Sequence, residues 1–187
     1  MKESKLHTIL NKKGKPLSVA IIGSRGYPYV YSGYETLVKH LSEAFVEKGV
    51  RVRVYCHAPL FKQKPKEVGG VQLVYVPTLS TKSLAQPVQS LLSFLHLIVK
   101  RVDVVLVVNV SNGPYGIITK FLGIPTLINV DGLEWLRPKW KGWGATYFRW
   151  GAKMATKWMD RLVTDAEAMR QVYLEEFKKD SVVIAYG

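Results

Sequence analysis

The sequence predicts an α/β domain with a doubly wound parallel sheet of the Rossmann-like type. Short apolar runs rich in β-branched residues recur along the chain, as at residues 18–23 and 103–108. Between these runs, apolar residues recur at helical spacing, and glycines separate many of the segments. Alternating strands and helices joined by right-handed crossovers form a parallel sheet with helices on both faces.

The first half of the chain predicts three strands and two helices. Residues 18–23 form a buried first strand, and a helix runs from Glu35 to the stop signal at Gly49. Strands follow at 51–56 and 71–76, with a Lys-rich loop between them. The second helix has one apolar face, which consists of Leu84, Val88, Leu91, Leu92, Leu95 and Val99.

The same alternation continues after the second helix. Residues 103–108 are almost wholly apolar, which is typical of a strand covered on both faces. A short helix at 115–122 is closed by Gly123, and the next strand lies at 125–130.

The last part of the domain begins with a Trp-rich stretch. A helix through residues 147–158 and a strand at 161–163 follow it. Thr164 and Glu167 have the spacing of a capping box, which predicts the start of a helix, and 181–185 form the final strand.

Length and composition indicate one folded domain. The chain has 187 residues, of which 48% are hydrophobic and 22% are charged, close to the globular average. We predict a flexible basic tail at residues 1–16 and the domain at 17–187. The net charge of +13 favours anionic partners such as phosphates, nucleic acids or acidic lipids.

Cysteine, histidine and hydropathy disfavour several other classes of protein. Cys56 is the single cysteine, so we expect no internal disulfide and a buried thiol. The four histidines lack metal-ligand spacing, so no metal is expected, and His57 is interpreted as a solvated loop histidine. The sequence has no run of eighteen apolar residues and no signal-peptide core, so a cytoplasmic protein is expected.

The loop after the first strand contains Gly23, Gly26 and Gly33, ahead of the first helix. Glycines let backbone amides approach an anion at a helix amino terminus, although they also permit tight turns, and both interpretations remain open. The spacing is not that of a dinucleotide-binding loop, and no acidic residue follows the second strand. NAD binding is therefore disfavoured.

Two further loops follow strands that come later in the chain. Asn109, Ser111 and Asn112 have side chains suited to sugar hydroxyls, but they are also ordinary turn residues, and the turn interpretation ranks first. The other loop combines carboxylates, cations and indoles, as sugar and phosphate recognition requires. The simpler alternative is a surface loop held by an ion pair between Arg137 and Glu134.

The residues of these loops resemble those of a known family. The segments that carry the resemblance are Ser-Arg-Gly at 24–26, Ser-Gly-Tyr-Glu-Thr at 32–36, Asn-Val-Asp-Gly-Leu-Glu-Trp at 129–135, Asp165, and the closing Ala-Tyr-Gly. From residue 18 to 187 the sequence is similar to the amino-terminal domain of retaining glycosyltransferases of family four. Within that family it most resembles rhamnosyl- and related transferases of polysaccharide assembly.

The resemblance implies the acceptor-binding half of a GT-B enzyme. A carboxy-terminal donor domain, absent from this sequence, would bind the nucleotide sugar, so the half alone is expected to be a very poor catalyst. The implied enzyme is a hexosyl- or rhamnosyltransferase whose acceptor is a saccharide or a polyprenyl-diphosphate-linked sugar. It implies no tightly bound cofactor.

The resemblance also implies roles for individual residues. Asp131 and Glu134 are the candidate catalytic residues, which would orient acceptor or donor hydroxyls. Contacts with the donor phosphate or substrate are expected from Arg25, Gly26, Ser32, Gly33, Tyr34 and Glu35. Contacts with the acceptor are expected from Asn109, Ser111, Asn112, Trp135, Arg137 and Lys139.

A membrane surface is a further expected partner. All five tryptophans lie between Trp135 and Trp158, and residues 135–159 contain six Lys or Arg and no Asp or Glu. A helix with cations and indoles suits a bilayer interface, which predicts peripheral association with the inner face of the membrane. The residues expected to face it are Arg149, Trp150, Lys153 and Lys157. The alternative is that the indoles pack in the core and the cations are solvated.

Two other functions are kept as alternatives. One is a nucleotide-binding module without transferase activity. The other is a basic nucleic-acid-binding domain, which ranks low because no helix-turn-helix, zinc-finger or RNA-binding signature accompanies the charge.

Overall fold

The computed structural model describes residues 8–28, 33–78, 85–130, 132–138 and 142–185. Within these residues, eight strands form one sheet and five α-helices pack against it. The strands are β1 (Ser18–Ile22), β2 (Arg51–His57), β3 (Glu67–Val68), β4 (Val71–Val76), β5 (Val104–Val108), β6 (Thr126–Val130), β7 (Arg161–Thr164) and β8 (Ser181–Val183). The helices are α1 (Gly33–Glu47), α2 (Ala85–Val99), α3 (Gly116–Leu122), α4 (Trp143–Trp158) and α5 (Glu167–Phe177).

The sheet has the order β3-β4-β2-β1-β5-β6-β7-β8. All pairings are parallel except that of β3 with β4. This confirms the predicted doubly wound α/β fold. The chain runs outward from β1 to β4 and then returns to β5 on the other side of β1. In such sheets ligands bind beyond the carboxyl ends of the strands where the order reverses, which here are β1 and β5.

Helices cover both faces of the sheet, but unequally. On one face, α1 packs on β1, β2 and β4 through Val38 and Phe45. On the other face, α2, α3, α4 and α5 share one apolar core that includes Val105 and Val107 of β5. Because β5 contributes side chains to both cores, its nearly continuous apolar sequence is explained.

Helix α2 lies where the sequence predicts it, yet its apolar face is only partly buried. The residues that face the sheet include three fully buried polar side chains, Gln89, Ser90 and Ser93. Leu91 and Leu95, expected on the apolar face, are exposed instead. The helix is therefore oriented by polar contacts on its inner side as well as by Phe94 and Leu97.

Several local features differ from the sequence-based expectation. The Lys-rich loop contains the short antiparallel strand β3. The prediction of a capping box at Thr164 is wrong, because Thr164 is the last residue of β7 and its Oγ1 lies 3.0 Å from the Ser181 Oγ of β8. Helix α5 begins at Glu167 without a side-chain cap. Helix α4 begins at Trp143, four residues earlier than expected.

Part of the segment expected to be a flexible tail contacts the domain. The backbone N–H of Ile9 donates to the Lys48 carbonyl at 3.1 Å, and the Asn11 amide donates to Asp103 at 3.0 Å. Residues 1–7 lie outside the described part of the chain. Across the described residues, no helix is long and apolar enough to cross a membrane.

Candidate functional site

The candidate site lies at the carboxyl edge of the sheet, where the loops after β1 and β5 meet. Gly23 ends β1 with a φ of +106°, a conformation that L side chains rarely adopt. A Cβ at this position would overlap the carbonyl oxygen of Val108 and the side-chain amide of Asn112. Glycine is thus required here because the β1 loop passes directly over the end of β5.

Helix α2 holds the β1 loop through its carbonyl groups. The Gln86 side chain donates to the Gly23 carbonyl at 3.0 Å, and the Gln89 side chain donates to the Ser24 carbonyl at 3.2 Å. The backbone N–H of His57 donates to the Arg25 carbonyl at 3.0 Å. Three successive carbonyls therefore point into the protein, and this fixes the orientation of the peptide groups between them.

A carboxylate accepts a hydrogen bond from a backbone amide of the same loop. The backbone N–H of Arg25 donates to Glu35 Oε1 at 3.1 Å, and Glu35 is buried in the first turn of α1. Amides at a helix amino terminus attract anionic oxygens. Arg25 and Glu35 are thus brought together, and Glu35 positions the loop from within. Contacts of Arg25, Gly26 and Glu35 with a donor phosphate stay a prediction.

His57 is part of this network, contrary to the expectation of a solvated histidine. It is 6% exposed, and its Nε2 lies 3.2 Å from Gln86 Oε1. Burial lowers the pKa of the His57 imidazole, so the neutral form is favoured in the folded protein. No local pattern in the sequence indicates this contact, because Gln86 lies 29 residues away on another element.

Gly26 packs on the end of β2. A Cβ there would approach the Cys56 sulfur and the Phe61 ring to 2.8 and 2.9 Å. Cys56 is fully buried, as predicted, and burial raises the pKa of its thiol to about 11. Its side chain therefore acts as a small apolar group. Ser24, two residues before Gly26, is also buried, and its hydroxyl has no hydrogen-bond partner among the described residues.

The loop after β5 is a turn fixed by its own side chains. Asn109 adopts a φ of +72°, and its side-chain oxygen accepts from the Ser111 N–H at 2.9 Å. The Asn112 amide donates to the Val108 carbonyl at 2.7 Å. These contacts agree with the turn interpretation, and contacts of the three residues with an acceptor stay a prediction.

Helix α4 presses directly on this turn. A Cβ at Gly113 would overlap the Gly151 carbonyl oxygen, so glycines allow the two backbones to approach. The Tyr147 hydroxyl donates to the Ser111 carbonyl at 3.0 Å. Burial, followed by the neighbouring Tyr115, raises the pKa of Tyr147 to about 12, so this hydroxyl stays protonated. The turn is consequently a rigid part of the edge.

The loop after β6 contains an ion pair between a buried carboxylate and an exposed guanidinium. Arg137 Nε lies 3.0 Å from Glu134 Oε1, and Glu134 is 7% exposed. The Arg137 guanidinium lies over Gly132, which has a φ of +81° and no room for a Cβ. The predicted pair is present, with its carboxylate inside the protein and its cation at the surface.

Trp135 takes part in packing. It is 8% exposed and makes edge contacts with Tyr173 and Phe177 of α5, at 6.1 and 6.0 Å between ring centroids. Its indole thus anchors the β6 loop to α5, and a direct contact with an acceptor stays a prediction.

The remaining candidate site residues lie at the start of α1, after β7, or outside the described part of the chain. Gly33 is the first residue of α1, and Tyr34 is half-buried beside it. Ser32, Asp131 and Lys139 lie outside the described residues. Asp165 follows β7 at the same edge, and its Oδ1 is buried without a hydrogen-bond partner among the described residues. Within the described ranges, no three His, Cys, Asp or Glu residues are grouped as a metal site.

The predicted membrane-facing residues lie on the outer side of α4. Arg149 pairs with Glu176 at 3.3 Å, and Lys157 lies 4.6 Å from the centre of the Trp158 ring. Trp150 is 47% exposed and lines a groove of about 470 Å³ between α4 and α5, together with Lys153. Some indoles are thus at the surface, whereas Trp135 is in the core.

The chain matches one protein family in sequence and resembles solved structures in fold. A family model described as "Domain of unknown function (DUF1972)" matches residues 17–187. A comparison of the sequence with curated proteins gave no match. Solved structures that the fold resembles include sucrose-phosphate synthase from Thermosynechococcus elongatus, with a TM-score of 0.69 and 13% sequence identity. The match covers 91% of this chain and 48% of that protein, so the chain spans about half its length. The fold is therefore that of a Rossmann-like half of a GT-B structure.

Proposed function

The chain belongs to the family described as Domain of unknown function (DUF1972), and we propose that it is the acceptor-binding half of a glycosyltransferase. The observation that carries the proposal is the GT-B half-fold, which extends over 91% of the chain. At 13% identity the likeness concerns the fold, so the function is argued from the residues at the carboxyl edge.

The carboxyl edge of the sheet has groups suited to glycosyl transfer. In this reaction the bond between the anomeric carbon and the donor diphosphate breaks, and a bond to an acceptor hydroxyl forms. The amino terminus of α1 suits the diphosphate, since helix amino termini favour anions. The β6 loop supplies a carboxylate, Glu134, beside the cation of Arg137.

We assign the following roles within this proposal. Asp131 and Glu134 orient the reacting hydroxyls, and Arg137 and Lys139 meet an acceptor phosphate. The Glu134–Arg137 pair holds the guanidinium in one orientation at the surface, which favours a bidentate contact with a phosphate. Gly33, Ser32 and Tyr34 lie nearest the donor phosphates in the proposed complex.

The proposal extends to the class of enzyme and its substrates. The resemblance of the loop sequences supports a retaining transferase of family four that transfers a rhamnosyl or other hexosyl unit. A polyprenyl-diphosphate-linked acceptor in polysaccharide synthesis agrees with the net charge of +13, since that acceptor is anionic and membrane-bound. Such an enzyme would act at the inner face of the cytoplasmic membrane.

Sugar transfer by the protein encoded by the complete gene tests the proposal. A panel of nucleotide sugars is offered with a polyprenyl-diphosphate-linked acceptor, and the variants Asp131→Asn and Glu134→Gln are compared with the parent. We expect each variant to lower kcat by roughly 100-fold or more, as positioned carboxylates do. The control is Glu175→Gln, because Glu175 is exposed on α5.

The outcomes separate catalysis from folding. Circular dichroism and the unfolding midpoint of Glu134→Gln show whether loss of the Glu134–Arg137 pair impairs folding or stability. A folded Glu134→Gln protein with the parent's kcat removes Glu134 from the reaction. No transfer by the parent protein from any nucleotide sugar contradicts the proposed function.

A further inference from the structure

The outer face of α2 is apolar although it faces solvent. Leu91, Leu95 and Ile98 are 39%, 41% and 51% exposed, and Val99 is 77% exposed. They recur at helical spacing and therefore form one stripe along the helix. The opposite face of α2 holds the buried polar side chains that contact the β1 loop.

Helix α3 packs beside α2. Its residue Phe121 is 85% exposed. We call Leu91, Leu95, Ile98, Val99 and Phe121 together the α2–α3 surface. Large apolar side chains grouped on a surface mark a site of interaction with another molecule or a membrane.

Cations surround the α2–α3 surface. Lys100 and Arg101 follow α2 and are exposed. Lys120 precedes the aromatic side chain of α3 and lies 3.7 Å from Asp160. From the start of α2 to the end of α3, Asp103 is the one acidic residue, and its carboxylate accepts hydrogen bonds at the start of β1. Asp160 offsets the charge of Lys120, so the net positive charge of the rim comes from Lys100 and Arg101.

We propose that the α2–α3 surface docks on an anionic lipid bilayer. The apolar side chains would enter the interface, and Lys100, Arg101 and Lys120 would contact the headgroups, as in interfacial helices. A second copy of the chain would bring these cations against each other, so the charge favours lipid over self-association. Helix α4 packs beside α3 and adds Trp143, 91% exposed, to the same layer of helices.

This proposal deepens the proposed function. It rests on that function in one respect, which is that a lipid-linked acceptor is presented at a membrane. Because Gln86 and Gln89 of α2 hold the β1 loop, a docked α2 fixes that loop relative to the bilayer. A helix is about 10 Å across, so the candidate site would lie roughly that distance from the interface.

Sedimentation with lipid vesicles tests the docking surface without any measurement of sugar transfer. The probes are phosphatidylcholine vesicles with and without phosphatidylglycerol. The parent chain is expected to sediment with the anionic vesicles. Leu95→Gln/Phe121→Gln should lower the partition coefficient by roughly tenfold or more, because two large apolar side chains no longer enter the interface.

A matched variant controls for the loss of apolar surface as such. Leu10→Gln/Leu60→Gln replaces two side chains that are 54% and 44% exposed outside the α2–α3 surface, and it should sediment like the parent. Circular dichroism checks that all three proteins are folded. Binding of Leu95→Gln/Phe121→Gln equal to that of the parent overturns the proposal, as does a parent that binds no vesicles.

Two more outcomes would contradict the proposal, one concerning the occupant and one concerning the surface that binds the vesicles. A dimer of the parent chain that Leu95→Gln/Phe121→Gln converts to monomer would assign the surface to a second copy. If Lys153→Gln/Lys157→Gln on α4 abolishes binding while the α2–α3 variant retains it, the docking surface is α4. Vesicle binding needs no substrate, so it can be interpreted even if the transferase assay shows no activity.

Discussion

His57 and Gly23 show how single residues shape the candidate site. Gly23 lets the β1 loop pass over the end of β5, where a side chain would overlap the Val108 carbonyl. His57 uses its backbone N–H for the Arg25 carbonyl and its ring for Gln86. Both residues act on the shape of one loop, and neither role depends on contact with a substrate.

The burial of His57 predicts a pH dependence of stability. Its folded-state pKa lies below the usual value of 6.5, so the unfolded chain binds the proton more readily. The free energy of unfolding should therefore be fully retained above pH 6.5 and fall as the pH decreases below it. For one histidine the slope is at most about 1.4 kcal/mol per pH unit.

Urea unfolding between pH 7 and pH 5 measures this effect. His57→Gln should show a weaker dependence on pH than the parent, although burial also lowers the pKa of His96, which remains in both proteins. His40→Gln is the control, since His40 is exposed, and it should follow the parent. Equal slopes for His57→Gln and the parent would contradict the assignment.

Helix α2 is the element with two distinct tasks. Its inner face binds the carbonyls of the β1 loop through Gln86 and Gln89, and its outer face carries the apolar residues of the α2–α3 surface. Hydrophobic periodicity predicted the helix, because spacing is a local property of the sequence. It did not predict which face is buried, since the buried polar side chains find partners only in the folded protein.

Gln89 is the test of the inner face. Its side chain donates to the Ser24 carbonyl at 3.2 Å and to the Tyr55 carbonyl at 3.1 Å, and it is fully buried. In Gln89→Leu both carbonyls lose this donor, so the free energy of unfolding should fall by roughly 2 to 4 kcal/mol. Urea unfolding gives the value.

Gln171→Leu is the control for the loss of a glutamine. Gln171 is exposed on α5, and its replacement should change the free energy of unfolding by no more than about 0.5 kcal/mol. A Gln89→Leu protein as stable as the parent would mean that other donors satisfy the loop carbonyls.

At the scale of the whole molecule, the net charge of +13 does not by itself select a ligand. The strand order places the β1 and β5 loops together at the carboxyl edge of the sheet. Neither loop has the spacing of a dinucleotide-binding loop. The loop sequences therefore disfavour NAD, whereas the net charge does not discriminate among anionic ligands.

Thermal unfolding of the protein encoded by the complete gene separates the three candidate functions. Sugar nucleotides should raise Tm, whereas NAD and oligonucleotides at the same concentration should leave it unchanged, because only a ligand of the folded state stabilises it. A shift with NAD would favour a dinucleotide-binding module. A shift with oligonucleotides alone, lost at high salt, would favour a nucleic-acid-binding domain.

The sequence by itself determined the order of the five helices and of all described strands except β3, the doubly wound fold and the burial of Cys56. These depend on hydrophobic periodicity and on glycine stops, which are read within a few residues. It also offered the pair of Glu134 with Arg137 as one of two interpretations of the β6 loop, because Arg137 is three positions after Glu134 along the chain.

Only the tertiary structure decided the contacts between distant segments. Thr164 fits a capping box by spacing, yet it pairs with Ser181 because β8 lies beside β7. His57 was expected in solvent and is buried because α2 brings Gln86 against it. The physical reason is that burial and hydrogen bonding depend on which elements pack together, and spacing along the chain does not contain that information.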